Sequence, residues 1–170
     1  MASVLETPRL ALRELDSAAD AEFIFELLNS PKFIKYIGDR GVRSVEQARE
    51  FIDDRYRASY REHGYGLYAV DQRSDGSAVG ICGFVKRDYL EHADIGFAFL
   101  PEFERRGYGF ESASAALRYG RDSLGFQRVF AITSQDNDVS GKLLSKLGFA
   151  RNGIVATPDG EELNLHEITL

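Results

Sequence analysis

The segment Asp94 to Glu111, Asp-Ile-Gly-Phe-Ala-Phe-Leu-Pro-Glu-Phe-Glu-Arg-Arg-Gly-Tyr-Gly-Phe-Glu, does most to constrain the fold of this chain. Residues Ala93 to Leu100 read as a strand, which Pro101 stops because it cannot donate to a ladder. A short loop with two glycines follows. Phe110 to Leu124 then places Phe110, Ala113, Leu117, Gly120 and Leu124 on one helical stripe. A strand, a glycine loop and a helix in that order aim free backbone N–H groups and the positive end of the helix dipole at one spot. Gly107 and Gly109 permit close approach to the main chain, and Arg105 and Arg106 add charge, so the spot suits a phosphate or diphosphate. Taken alone, the same glycine spacing also serves as an ordinary structural turn. Two nucleotide-binding patterns are absent: no Gly-x4-Gly-Lys-Ser/Thr loop occurs, and no Gly-x-Gly-x-x-Gly opens a βαβ unit.

The flanking segments alternate in type. Arg9 to Leu15 reads as a first strand with one buried face. Asp16 to Asn29 carries Phe23/Ile24 and Leu27/Leu28, four apart, as an amphipathic helix that Pro31 ends. A short helical or irregular piece, Phe33 to Ile37, comes next. Ser44 with Gln47 is a capping-box signature, Val45, Ala48, Ile52 and Tyr56 share one side behind it, and Gly64 closes that helix. Tyr65 to Asp71 and Ala78 to Phe84 read as strands joined at Asp75-Gly76. After the central segment come a short buried strand, Arg128 to Thr133, and a helix marked by Val139, Leu143, Leu144 and Leu147 and stopped by Gly148. The tail from Ala150 to Leu170 reads as a hairpin about Pro158-Asp159-Gly160. The order is βααβββαβα followed by β or ββ, with at least one parallel crossover. No linker or repeat divides it, so residues 1–170 are expected to form a single α/β (α+β) domain.

Charge and composition narrow the function. With 21 basic and 27 acidic residues the net charge is −6, which disfavours a nucleic acid partner and tolerates an amine-bearing substrate. No apolar run approaches the ~18 residues of a membrane span, and no secretory pattern opens the chain, so a reducing cytoplasm is the expected address. One cysteine makes no internal disulfide, and His63, His92 and His166 have no metal-ligand spacing; no metal is expected. Cys82 reads as a small core residue. Arg55, Arg57 and Arg61, interspersed with Asp53, Asp54 and Glu62, read as a solvated mixed-charge face.

A second motif follows the strand Arg128 to Thr133: Asn137-Asp-Val-Ser140-Gly-Lys-Leu-Leu-Ser-Lys-Leu-Gly-Phe149. Together, "strand, Pro-x4-Arg-Gly-Tyr-Gly-x-Glu, helix" and "Asn-x-x-Ser-x-x-Leu-x-x-Lys-Leu-Gly-Phe" resemble the GNAT superfamily of acetyl-CoA-dependent N-acetyltransferases. The opening Glu6-Thr-Pro-Arg-Leu-Ala-Leu-Arg13 is similar to the branch of ribosomal-protein N-terminal acetyltransferases and small-molecule amine acetyltransferases. The resemblance covers nearly the whole chain, and is weakest between residues 30 and 66 and after residue 153.

It implies a mixed, mostly antiparallel sheet of about seven strands, splayed between its fourth and fifth, flanked by about four helices. Acetyl-CoA would enter the gap, with its pantetheine paired along Phe97, Ala98, Phe99 and Leu100. The pyrophosphate would take backbone N–H groups of Arg105, Arg106, Gly107, Tyr108, Gly109 and Phe110, and Asn137 and Ser140 would flank the cofactor from the other side. Glu104 stands where the family loop usually begins with Gln or Arg. The implied reaction is acetyl transfer from acetyl-CoA to a primary amine, on a small molecule or a protein N-terminus, by direct attack in a ternary complex. Dimers are common among the proteins it resembles.

Many of these enzymes use a Tyr as the acid that protonates the leaving thiolate; the matching position here is Leu144. Ser140, one helical turn earlier, is the candidate acid, with helix capping as the structural alternative. For the base, Asp94 and Asp159 are the candidates. Glu111 reads as support for the first helical turn. Glu91, His92, Tyr36, Tyr65 and Tyr89 are candidates to line an acceptor pocket, and a backbone N–H near Phe99 or Leu100 to hold the developing oxyanion. The missing Tyr keeps a second class open, a non-catalytic acyl-CoA-binding module.

Overall fold

The computed structural model describes residues 1–170, and all eight strands lie in one open sheet. The strands are β1 (Ser3–Glu6), β2 (Leu10–Arg13), β3 (Leu67–Gln72), β4 (Ala78–Val85), β5 (Asp94–Phe99), β6 (Arg128–Ser134), β7 (Ala150–Ala156) and β8 (Glu162–Thr169). Their order is β1-β2-β3-β4-β5-β6-β8-β7. All neighbours are antiparallel except β5 and β6, which are joined through the crossover helix α5 (Tyr108–Asp122). That parallel pair meets at a single position, Asp94 opposite Phe130, where the Phe130 N–H donates to Ala93 O at 3.0 Å. Beyond it the strands diverge, and the edge of β5 from Ile95 to Phe99 has no strand partner. The sheet is splayed where the resemblance implied.

Two apolar clusters cover the two faces. On one, α5 and α6 (Asp138–Leu147) pack Ala113, Ala116, Leu117 and Leu144 against Leu10, Val70, Phe84, Ile95 and Val129. Small residues let α5 lie close to the sheet: a Cβ on Gly120 would stand 2.9 Å from the Phe84 ring. The other face buries Leu15, Ile24, Leu27, Ile52, Ile81 and Leu100 under α1 (Ala21–Leu28), α2 (Pro31–Tyr36), α3 (Val45–Phe51) and a π-helical stretch, Ile52–Arg57, that continues into α4 (Ala58–His63).

Several elements differ from the sequence expectation. Strand β1 was not expected; four residues carry too little alternation to register. The first helix begins at Ala21 rather than Asp16, because the Asp16 carboxylate takes the N–H groups of Ala18 and Ala19 and the Asp20 carboxylate is held by Arg13. Pro31 opens α2 at its first position, behind Ser30, rather than only ending α1. Ser44 caps α3 as expected, its Oγ accepting the Gln47 N–H at 3.1 Å. Arg57 meets Asp53 (3.7 Å) on the expected mixed-charge face and in addition donates from Nη1 to Leu15 O at 2.8 Å. Arg13, from the opening motif, is buried between Asp20 (2.8 Å) and Asp71 (2.7 Å), tying β2 to β3 and to the start of α1.

Candidate active site

The glycine loop leaves the end of β5 through a 3-10 turn, Pro101–Phe103, and enters α5 at Tyr108, two residues earlier than the apolar stripe predicts. Tyr108, Gly109 and Phe110 therefore form the first helical turn. The first backbone hydrogen bond of the helix is Glu111 N–H to Gly107 O, 3.1 Å, and the six preceding N–H groups, from Arg105 to Phe110, have no acceptor within the chain. Two left-handed residues aim them: Gly107 at φ 80° and Arg105 at φ 62°. A left-handed arginine costs on the order of 1–3 kcal/mol and persists only where its surroundings hold it.

Those surroundings come from the β1–β2 turn. Glu111 accepts from Thr7 Oγ1 (2.5 Å), Arg9 N (3.0 Å) and Arg9 Nε (2.7 Å). Arg9 Nη1 also donates to Arg106 O at 2.8 Å, and its guanidinium lies 4.7 Å from the centre of the buried Tyr108 ring. Burial pushes the Glu111 carboxyl up, but the Thr7 and Arg9 donors more than offset this and hold it below its ordinary value. Glu111 stands in the first turn of α5, and its carboxylate is bonded to Thr7 and Arg9, anchoring the brace. A cavity of about 440 Å³ opens beside it, lined by Thr7, Pro8, Arg9, Gly107, Phe110, Glu111, Ser114, Arg118 and Lys146. Glu104, the departure from the family pattern, is neutralised by Lys32 of α2 at 2.6 Å.

The free edge of β5 is resolved residue by residue. Leu100 N–H donates to Val79 O at 2.9 Å, which corrects its candidacy for the oxyanion. Backbone groups alternate sides along a strand, so Ala98 also turns its N–H to β4, whereas Phe97 and Phe99 turn theirs to the gap. Across the gap, Asn137 caps α6: its Oδ1 accepts the Ser140 N–H at 3.2 Å, and its Nδ2 donates to Ser140 Oγ at 3.0 Å. The hydroxyl proton of Ser140 is left free to donate elsewhere. Ser140 is half-buried and lies one turn before Leu144, which is wholly within the core.

Asp94 is buried at the junction of β5 and β6, on the face covered by α1 to α4. Burial raises its carboxyl to about 6 against the opposing effect of Arg87, whose Nε donates to Oδ1 at 2.9 Å. A carboxylate near 6 is ionised at neutral pH yet basic enough to take a proton. Asp159 sits at the exposed tip of the β7–β8 hairpin, beyond the far end of β6, so the two carboxylates form no pair. Tyr65 lies edge-on to Phe84 (6.3 Å) and Phe126 (5.2 Å), and burial together with the nearby Asp94 carboxylate pushes its phenol up. His92 packs on Phe130, 5.2 Å between rings, beside Asp94, and Glu91 is exposed. Cys82 is fully buried with its thiol pushed up to about 12, an inert core residue. Sequence reasoning missed Arg87 and the role of Thr7 and Arg9; only the Thr-Pro-Arg of the opening motif signalled the latter.

The family described as acetyltransferase (GNAT) domain matches residues 9–150. The chain belongs to the GNAT acetyltransferases. It is 33% identical over 156 residues to the uncharacterized N-acetyltransferase YoaA of Bacillus subtilis, covering 91% of this chain and 87% of that one. The ribosomal protein uS5-alanine N-acetyltransferase of Escherichia coli is 29% identical over 91 residues, 52% of this chain and 45% of the relative. Among solved structures, a GNAT-family acetyltransferase from Bacillus anthracis superposes with a TM-score of 0.79 at 25% identity, over 97% of both chains. The spermidine N-acetyltransferase of Vibrio cholerae, solved with CoA and spermine, shares the fold with a TM-score of 0.78 at 18% identity, over 96% of both. This GNAT acetyltransferase has no helix long and apolar enough to cross a membrane.

Proposed function

We propose that the chain transfers the acetyl group of acetyl-CoA to a primary amine by direct attack, with residues 1–170 acting as one catalytic domain. The observation that carries this is the run of six unpartnered N–H groups, Arg105 to Phe110, beside the free edge of β5. They suit the diphosphate, while the outward N–H groups of Phe97 and Phe99 suit the amide and acyl carbonyls of the pantetheine arm. When bound, acetyl-CoA supplies the activated thioester.

In this reading Asp94, directly or through a water, takes a proton from the incoming ammonium, and Arg87 holds the carboxylate in place. The Phe99 N–H steadies the developing oxyanion. Ser140 Oγ donates to the departing sulfur, and Asn137 keeps the hydroxyl oriented by occupying its acceptor lone pair. Holding both reactants in one cleft lowers the barrier further by several kcal/mol. Nothing in the geometry favours a non-catalytic acyl-CoA-binding module.

Calorimetric titration with CoA, followed by thiol release across an amine panel, tests the reading. Gly107→Val puts a branched side chain at φ 80°, where a Cβ already meets Arg9 Nη2 at 3.2 Å. It should weaken CoA binding about tenfold or more. Unchanged affinity in a folded variant would remove the loop from the site.

A further inference from the structure

A second cavity, of about 380 Å³, lies between α6 and the β6–β8–β7 end of the sheet, and no apolar residue lines it. Strand register sets its floor. Thr133 stands opposite Asn164, and Arg151 opposite His166, so these four side chains share one face of the sheet. Asp138, Gly141, Lys142 and Ser145 recur at helical spacing and form the other wall. Ser140 and Leu144 lie on a different face of α6, and only the cap Asn137 stands at the border with the acetyl-CoA cleft.

Two atoms of the floor have no partner within the chain. Asn164 Oδ1 is buried and accepts no hydrogen bond. His166, 6% exposed, spends Nε2 on Thr133 Oγ1 at 3.0 Å and leaves Nδ1 unpaired. A buried acceptor in that state opposes folding unless a donor reaches it from the cavity. One water fills only about 30 Å³, so the space admits a larger group. The rim supplies charge: Lys142 and Arg151 are exposed, form no ion pair within 4.0 Å and face a single acid, Asp138. That is a local excess of positive charge in a chain of net charge −6. Burial and Arg151 hold the His166 imidazole below its ordinary value, so it is neutral at pH 7.

Free cations select an oxyanion, whereas the orphaned carbonyl selects a donor on the same ligand. Sulfate offers acceptors alone; a phosphate that keeps one hydroxyl offers both. We propose that this cavity is a second binding site, taking a phosphate group that retains a hydroxyl. Arg151 and Lys142 hold the charged oxygens, and the phosphate hydroxyl donates to Asn164 Oδ1. Thr133 donates to His166 Nε2, which fixes the ring proton on Nδ1 and lets it donate to a further oxygen.

The test titrates inorganic phosphate, glycerol phosphate and sulfate into the full chain at constant ionic strength and about pH 6, where both phosphates keep a hydroxyl. Heat and the ring-proton NMR signals of His166 are followed. A phosphate should bind with Kd about 1 mM or tighter and shift His166, and sulfate about tenfold more weakly or worse. A preference for the free ion or for the ester identifies the source, and either supports the proposal. A Cβ at Gly141 meets nothing within 4 Å, so Gly141→Leu fills the cavity without displacing α6. It should weaken phosphate about tenfold or more while CoA affinity stays within about twofold. Arg151→Gln should weaken phosphate to a similar degree, and Asn164→Leu should erase the preference over sulfate. Sulfate bound as well as phosphate, an unmoved His166, or affinity unchanged by both Gly141→Leu and Arg151→Gln overturns the proposal. Displacement of phosphate by CoA also overturns it, by making the cavity part of the cofactor cleft.

Discussion

Replacing Arg9 with Gln tests whether the phosphate loop is held in shape from outside the site. The variant keeps the backbone N–H bond to Glu111 and removes three other contacts: Nε to Glu111 at 2.7 Å, Nη1 to Arg106 O at 2.8 Å, and the stack on Tyr108 at 4.7 Å. The Arg9 side chain is 48% exposed, so the ion pair is discounted to the exposed range, about 0.2–1 kcal/mol. The cation–π contact adds about 0.5–1 kcal/mol, and the bond to the Arg106 carbonyl about 1 kcal/mol. A total near 2 kcal/mol is comparable to the strain of left-handed Arg105, so without Arg9 the loop has reason to relax. If about half to all of that total appears as lost preorganisation, CoA affinity falls roughly 5- to 30-fold. The assay compares acetyl-CoA with S-acetylpantetheine, which lacks the diphosphate. KM for acetyl-CoA should rise by that factor while KM for the fragment moves less than about twofold. Arg9→Lys should recover little, since an ammonium lacks the fork that reaches Glu111 and Arg106 together. Equal losses for both donors would make Arg9 a general stability residue and refute the reasoning.

The remaining predictions concern proton transfer. If Asp94 is the base, kcat/KM should fall as pH drops through about 6, where its carboxyl protonates. Asp94→Asn should remove that limb and lower kcat about 100-fold or more, and a retained limb would assign it elsewhere. The stability effect has the opposite sense. Because the folded value exceeds the unfolded one, protonation of Asp94 favours the fold, fully so below about 4, and this contribution is lost as pH rises through about 6. Chemical denaturation between pH 4 and 8 of wild type and Asp94→Asn should show it, with the wild type losing more stability on the way up. Ser140→Ala keeps the Asn137 cap on the residue 140 N–H, so α6 should stay folded while kcat falls about 10- to 100-fold at unchanged CoA affinity. A loss below about twofold, with chemistry rate-limiting, would leave water as the proton source.

The linear sequence determines those features that local physics governs. The Pro101 stop, the glycines at 107 and 109 and the apolar stripe of α5 define a phosphate-shaped helix entrance in any context, because strand termination, left-handed turns and helix termini are local properties. Asn137 and Ser140 likewise announce a helix start. A sheet of about seven strands, splayed between the strands of Asp94 and Arg128, was legible through the alternation of elements and the resemblance they carry, whereas the eighth strand, β1, was not. Helix boundaries were less so: Asp16 and Asp20 side chains displaced the start of α1, and Pro31 opened a helix as well as closing one. What only the tertiary structure decided are contacts between residues distant in the chain. Thr7 and Arg9 reach Glu111 across more than a hundred positions, Lys32 neutralises Glu104, Arg87 clamps Asp94, and the pairing with β4 removes the Leu100 N–H from the gap while leaving that of Phe99.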